Sequence, residues 1–170
     1  MVSVLIGILI ICSVIILDQV SKLLMTYVII NHGPIKILGN FVVLKLQFNN
    51  GAAFSSFSGQ FWLLMGITLL ATIAFIFMAK YAKFERGKMT YSLGIYFMIG
   101  GMFGNFIDRV FATDRSALYQ MTAPKHAVCD FIYINGFANC NIADAFLTLG
   151  VILVIIDLVF FESRREKDVN

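Results

Sequence analysis

Residues 141–161 read NIADAFLTLGVILVIIDLVFF, and this stretch decides what kind of molecule the chain forms. From Ile142 to Phe161 it is apolar almost throughout, with Asp144 near one end and Asp157 towards the other. A helix needs roughly 20 mainly apolar residues to cross about 30 Å of hydrocarbon, because lipid offers no hydrogen bonds to the backbone of an open strand or loop. This run has that length. Three more runs lie upstream: about Val4–Ile30, interrupted by Asp18 and Lys22, then Phe61–Ala79, then Tyr91–Phe111. With 59% hydrophobic and 14% charged residues over 170 positions, the composition is that of a membrane protein.

The fold expected is therefore an all-α integral membrane protein with four transmembrane helices, forming a single domain over residues 1–170. Met1–Ile11 contains no Lys or Arg, so the first run reads as a retained helix rather than a cleaved signal peptide. Lys80, Lys83, Arg86 and Lys88 crowd the second connection, and Arg164, Arg165 and Lys167 the C-terminal tail. Basic residues mark the cytoplasmic side, so both termini are expected inside and two long segments, about Asn31–Gln60 and Ala112–Asn141, outside. The net charge of +3 is used by this topology and by contact with membrane lipids, which leaves no case for nucleic acid.

An ionisable residue inside a span costs several kcal/mol unless it is paired or lines a wet cavity. Asp18, Lys22, Asp108, Arg109 and Asp144 gather towards the outer ends of their helices, and Asp157 alone lies towards the cytoplasm. Asp18 and Lys22, four apart, share a face and read either as a local ion pair or as part of a site. Gly101, Gly104, Asn105 and Asp108 share a face of the third helix, and Gly100 with Gly104 forms the small-residue spacing that lets helices approach in lipid. Asn105, Asp108 and Arg109 together require partners, and Asp108 beside Arg109 reads as an acid held ionised for support rather than proton exchange.

Asn141 and Asp144 lie on one face at the start of the fourth helix, with Thr148 a turn further on. Asp130 lies in the outer segment just before them. Two carboxylates brought together cannot both ionise cheaply, so they share a proton; one can act as base on a water while the other donates to a peptide carbonyl. Other constellations compete poorly. Ser21 and Lys22 are adjacent and on different faces, His32 and His126 lack a serine or cysteine partner pattern, and the spacing of a zinc protease is absent, so neither metal nor cofactor is expected. Leu44, Leu46 and Phe48 alternate with Lys45, Gln47 and Asn49 as a short strand ending at the turn Asn49-Asn50-Gly51, with Ala52, Ala53 and Phe54 following. Cys12 reads as a buried apolar residue of the first span. Cys129 and Cys140 fall in the outer segment, where an oxidising exterior could join them and free thiols fit equally well.

Five blocks in order resemble the lipoprotein signal peptidases, also called signal peptidase II. They are Asp18-Gln19-Val20-Ser21-Lys22, Phe48-Asn49-Asn50-Gly51-Ala52-Ala53-Phe54, Gly100 to Arg109, Val128-Cys129-Asp130-Phe131 and Asn141-Ile142-Ala143-Asp144. The resemblance implies four transmembrane helices, a small extracytoplasmic β-cradle from the first outer segment, and an aspartic dyad at Asp130 and Asp144. It implies an endopeptidase of the bacterial cytoplasmic membrane that works without a cofactor and cuts prolipoproteins before a diacylglyceryl-modified cysteine; the chain is expected to be a monomer. Asp18, Lys22, Asn49, Gly51, Asn105, Asp108, Arg109 and Asn141 match positions of support around substrate and dyad. Two departures stand out. The stretch Val110–Cys129 looks like an insertion before the first aspartate, within which Asp114 is an alternative acid, and Cys140 occupies a position where the family usually has Phe.

A small transporter or proton-coupled channel is the rival reading, but it calls for polar residues through the full depth of the bundle, whereas here they cluster at one end. A scaffold without catalysis leaves Asp130, Asn141 and Asp144 unexplained.

Overall fold

The structure is a computed structural model that describes residues 2–51, 59–85, 87–118 and 126–162. Its elements follow the apolar runs. Helix α1 spans Val2–His32, α2 Phe61–Ala79, α3 Met89–Leu118 and α4 Ile142–Ile156, and α4 continues as a π-helix over Asp157–Glu162. Between them lie the strands β1 (Ile35–Leu38), β2 (Val42–Asn49), β3 (Val128–Ile134) and β4 (Ala138–Cys140).

At 1.5 Å per residue the 31 residues of α1 reach about 46 Å, more than the hydrocarbon thickness. Its buried residues, Gly7, Val14, Asp18, Lys22, Thr26 and Ile29, form one stripe, while Leu5, Ile8, Leu9, Ile16, Leu17 and Val20 point outward. So much outward apolar surface suits lipid and not water. Helices α1 and α2 and the run 142–161 are each long and apolar enough to cross a membrane. Helix α3 differs because of where it sits. It packs against α1, α2 and α4, so its side chains meet other helices and its sequence is free to carry glycine and polar groups.

Glycine brings α3 and α4 backbone to backbone. A Cβ on Gly94 would come within 2.8 Å of the Gly150 carbonyl, and one on Gly150 within 2.7 Å of the Gly94 carbonyl. Gly104 sits where α3 meets both neighbours, and a Cβ there would lie 2.7 Å from Asp18 Oδ2 and 3.1 Å from the Ala143 Cβ. At the opposite end of the bundle Ser92 is fully buried and donates to the carbonyls of Lys83 and Lys88, which folds the basic connection back onto α3.

The strands form one antiparallel sheet in the order β1-β2-β3-β4. The sequence reading placed the cradle in the first outer segment alone; half of it comes from the second. β3 escaped notice because Cys129 and Asp130 interrupt its β-branched and aromatic pattern, and its pairing with β2 joins residues some 80 positions apart, as in Gln47↔Asp130. Two further expectations are corrected, and the alternative left open at Cys129 and Cys140 is decided. Cys12 is exposed on the outward side of α1, off its buried stripe. The backbone of α3 continues to Leu118 instead of stopping near Phe111, so the supposed insertion begins as helix. Cys129 and Cys140 are both free: Cys140 pairs across from Ile132, so its side chain and that of Cys129 lie on opposite faces of the sheet. Residues 52–54 and the Asp114 side chain lie outside the described residues.

Candidate active site

Asp18, on α1, is fully buried and receives three donors. Its Oδ2 accepts from Lys22 Nζ at 2.7 Å and Gln19 Nε2 at 3.0 Å, and its Oδ1 accepts the backbone N–H of Ala143 at 2.9 Å. That last bond places a carboxylate on the first turn of α4, where the helix dipole favours negative charge. Lys22 is 1% exposed and also holds Asp108 Oδ2 at 2.8 Å, so the acid expected to lean on Arg109 is paired with α1. Asp108 Oδ2 in turn accepts the backbone N–H of Cys129 at 3.1 Å, which docks β3 on α3. Asp18 and Lys22, which read as either a local ion pair or part of a site, thus form a buried triad with Asp108, and its bonds hold α1, α3, α4 and β3 together.

Lys22 donates a third time, to Asn105 Oδ1 at 3.1 Å. That contact fixes which way the Asn105 amide faces, because an ammonium has only donors. Asn105 Nδ2 is left to donate to Asp144 Oδ1 at 2.8 Å. Asn141 completes the chain. Its side-chain Nδ2 donates to Asp130 Oδ1 at 2.7 Å and to Asn105 Oδ1 at 3.1 Å. It also caps α4 reciprocally with Asp144: Asn141 Oδ1 accepts the Asp144 N–H at 3.0 Å, and Asp144 Oδ2 accepts the Asn141 N–H at 3.1 Å. One asparagine therefore touches both carboxyl groups.

Asp130 stands on β3 rather than in a loop. It faces Gln47 across the strand pair, and Asn49, two residues further along the same face of β2, donates to Asp130 Oδ2 at 3.3 Å. Burial, at 1% exposure, pushes the Asp130 carboxyl up to about 7; the charge of Asp144 adds to the rise, and the hydrogen bonds from Asn141 and Asn49 oppose it. A group at that position exchanges protons near neutral pH. Burial likewise pushes the thiols of Cys129 and Cys140 up to about 11, which removes both as thiolate nucleophiles.

Arg109 reaches across with Nη2 to the Gly51 carbonyl at 3.0 Å, and the Gly51 N–H returns to Asn49 Oδ1 at 2.9 Å. Both carboxylates open on a cavity of about 450 Å³ whose polar wall includes Asn49, Asn105, Arg109, Asp130 and Asp144 and whose apolar wall includes Met102, Phe137 and Leu147. All ten residues singled out in the sequence belong to this network. It also contains residues the sequence did not reveal. Gln19 Nε2 bridges Asp18, the Gly104 carbonyl and Asp108. His126, in the left-handed region at φ 62°, places Nδ1 2.8 Å from the Arg109 carbonyl and stacks on Phe61 at 3.9 Å. Asn139 lines the cavity from β4. Gln19 is quoted in one of the five blocks, but its partners come from α3.

A family model described as Signal peptidase (SPase) II matches residues 10–160. The chain belongs to the signal peptidase II family. Among its relatives, the lipoprotein signal peptidase of Geobacillus kaustophilus (strain HTA426) is 33% identical over 158 residues, covering 91% of this chain and 93% of that protein. The lipoprotein signal peptidase of Listeria monocytogenes serotype 4a (strain HCC23) is 32% identical over 159 residues, covering 93% and 95%. Two solved structures, described as a bacterial membrane enzyme determined by the in meso method at 2.3 and 1.9 Å resolution, superpose with TM-scores of 0.68 and 0.67. Each is 32% identical, and they cover 90% and 91% of this chain and 87% and 92% of their own. Membership of the signal peptidase II family makes this a protease of a bacterial membrane, and the network described above is where its polar residues converge.

Proposed function

We propose that the protein is an aspartic endopeptidase of the bacterial cytoplasmic membrane that removes signal peptides from diacylglyceryl-modified prolipoproteins, cutting before the lipidated cysteine. The observation that carries this reading is Asn141 joined at once to Asp130 and Asp144, on a cavity large enough for a peptide segment. The pair holds one proton between its two carboxyls. The ionised member takes a proton from water as the water oxygen bonds to the scissile carbonyl carbon, and the protonated member gives its proton to the carbonyl oxygen. When the tetrahedral intermediate collapses, the carbon–nitrogen bond breaks as the carboxyl that took the water proton gives it to the leaving nitrogen, a hydroxyl of the intermediate returns its proton to the other carboxyl as the product acid forms, and the pair again holds one proton.

Asn105, Asn49 and Asn141 hold the two carboxyls by hydrogen bonds, and the Asp18–Lys22–Asp108 triad fixes α4 and β3 behind them. Arg109, tied to Gly51, sets the opposite wall. In the proposed topology α3 is the fourth crossing, shielded from lipid by its three neighbours. Both termini and the basic connection after α2 face the cytoplasm, and the sheet and site lie near the outer face. That position lets a substrate keep its acyl chains in the bilayer while the scissile bond meets water. The chain acts as a monomer.

Purified protein in detergent or lipid should cleave a diacylglyceryl-modified prolipoprotein. Asp130→Asn and Asp144→Asn, each with unchanged thermal unfolding, should lose about 10² to 10⁴ in kcat. Normal cleavage by both folded variants would rule out the aspartic mechanism.

A further inference from the structure

Helix α2 forms one wall of the cavity, yet little holds it there. Leu64 and Thr72 are its buried residues, and with Phe61 and Thr68 they share one face, at i, i+3, i+7 and i+11, where α2 packs on α3. Its other sides turn Leu63, Leu69, Leu70 and Phe77 outward. Contact with lipid does not fix a helix in one position, because a lipid tail is as apolar as the side chains it meets. The end next to the basic connection is fastened by Tyr91, whose hydroxyl donates to the Met78 carbonyl at 3.3 Å. At the Phe61 end the N-cap residue Gln60 makes no side-chain cap, and the preceding Gly59 N–H reaches the Asn50 carbonyl only at 3.4 Å. Two turns in from this end, Thr68 lines the same cavity as Asp130 and Asp144.

The group that meets this end comes from the approach to β3. His126, two residues before the strand, stacks its ring on Phe61 with centroids 3.9 Å and planes 25° apart. The same ring has Nδ1 2.8 Å from the Arg109 carbonyl. A carbonyl oxygen only accepts, so Nδ1 carries the proton and donates. One imidazole therefore spans from α3 to α2. Among the described residues His126 is the only non-glycine residue with a left-handed backbone, at φ 62°. That conformation costs an L residue free energy and persists where its surroundings hold it, and the two ring contacts supply such a hold. Arg109, which takes the imidazole on its carbonyl, is itself tied through Nη2 to Gly51 and lines the cavity opposite α2.

We infer that His126 is a positioning residue of the proteolytic site: its ring, bonded to α3 at the Arg109 carbonyl, holds the first turn of α2 by stacking on Phe61, and so sets how far Thr68 stands from the two carboxyls. The inference rests on the endopeptidase reading. His126 acts through α2 and touches neither Asp130 nor Asp144, whose hydrogen bonds come from Asn49, Asn105 and Asn141. Slackening α2 widens the space open to substrate and leaves those bonds in place. Loss of the ring contact therefore weakens substrate binding more than it slows the chemical step.

The test has two readouts. With a diacylglyceryl-modified prolipoprotein peptide as substrate, His126→Asn keeps a donor for the Arg109 carbonyl and tolerates the left-handed backbone but lacks the ring. It should raise KM about fivefold with kcat within about twofold of wild type. Phe61→Leu should do the same, and the double variant should be no worse than either alone, because both changes remove one contact. Phe61→Tyr keeps a ring and should hold KM within about twofold of wild type. Independently of cleavage, spin labels at Leu63→Cys on α2 and Phe111→Cys on α3, with Cys12, Cys129 and Cys140 replaced by alanine, report where α2 stands. Their distance distribution should broaden with His126→Asn or Phe61→Leu and not with Phe61→Tyr. Additive KM effects, an unchanged KM, unchanged label distances, or a fall in kcat as large as the rise in KM would each overturn the inference while the endopeptidase reading stands. If His126→Asn does not fold, the two Phe61 variants decide. A wild type that leaves the parent peptide intact overturns the endopeptidase reading and the part of His126 in it, and the labels then show separately whether the ring ties α2 to α3.

Discussion

Asn141 and Asn105 show how much of this site depends on single amide groups. Lys22, all donor, fixes the orientation of Asn105; Asn105 then orients towards Asp144, and Asn141 completes the link to Asp130. The consequence for Asp130 is measurable. Its carboxyl is raised from the ordinary 3.8 to about 7, so between about pH 4 and 7 the folded protein binds more protons than the unfolded chain. The stability contributed by this group is fully present below the ordinary value and is lost as pH rises through about 7. The aspartic mechanism needs one shared proton, so cleavage should fall on the alkaline side of about 7. Asn49→Ala removes a hydrogen bond that opposes the rise, and the alkaline limb of the kcat/KM profile should move to higher pH. An unmoved or lowered limb in a folded Asn49→Ala would show that another group sets it.

Between elements, closeness is set by glycine, and its sites can be told apart by what a methyl group would meet. Gly104→Ala would press on the Asp18 carboxylate and on Ala143, two rigidly held neighbours, so it should cost about 1–3 kcal/mol by thermal or denaturant unfolding in detergent. Gly66→Ala, on α2 with nothing within 4 Å of the added methyl, should be neutral or slightly stabilising. Equal effects at the two positions would mean that helix propensity, not close approach, governs them. The same contrast explains what the sequence disclosed. The ends of α2 coincide with the apolar run because no polar residue blurs them. The helical spacing of Gly101, Gly104, Asn105 and Asp108 was legible because one helix imposes it, and so was the Asp18 to Lys22 pairing. β3 and β4 were not, since a strand is made by its partner and the partner lies far away in sequence. His126 was dismissed for want of a serine or cysteine, yet what it holds is a backbone carbonyl 17 residues back, a contact no side-chain pattern announces.

Across the whole molecule, the polar network joins α1, α3, α4, β2 and β3 at one end of the bundle, while outward-facing apolar residues cover much of the helices. Placing charge at one end and lipid-compatible surface elsewhere leaves the topology to be decided by the basic residues of the connections, and these agree: the segment from Lys80 to Lys88 and the tail after Phe161 carry them together. The β1–β2 turn at Asn40 and the connection residue Lys83 are both exposed. In the proposed topology they lie on opposite sides of the membrane. In a background with Cys12, Cys129 and Cys140 replaced by alanine, Asn40→Cys in intact cells or spheroplasts should react with a membrane-impermeant maleimide, and Lys83→Cys should react only after the membrane is opened. The reverse pattern would invert the proposed topology and put the carboxylate pair at the cytoplasmic face, contrary to the proposed function. Labelling of both sites in sealed cells would mean that α2 does not cross.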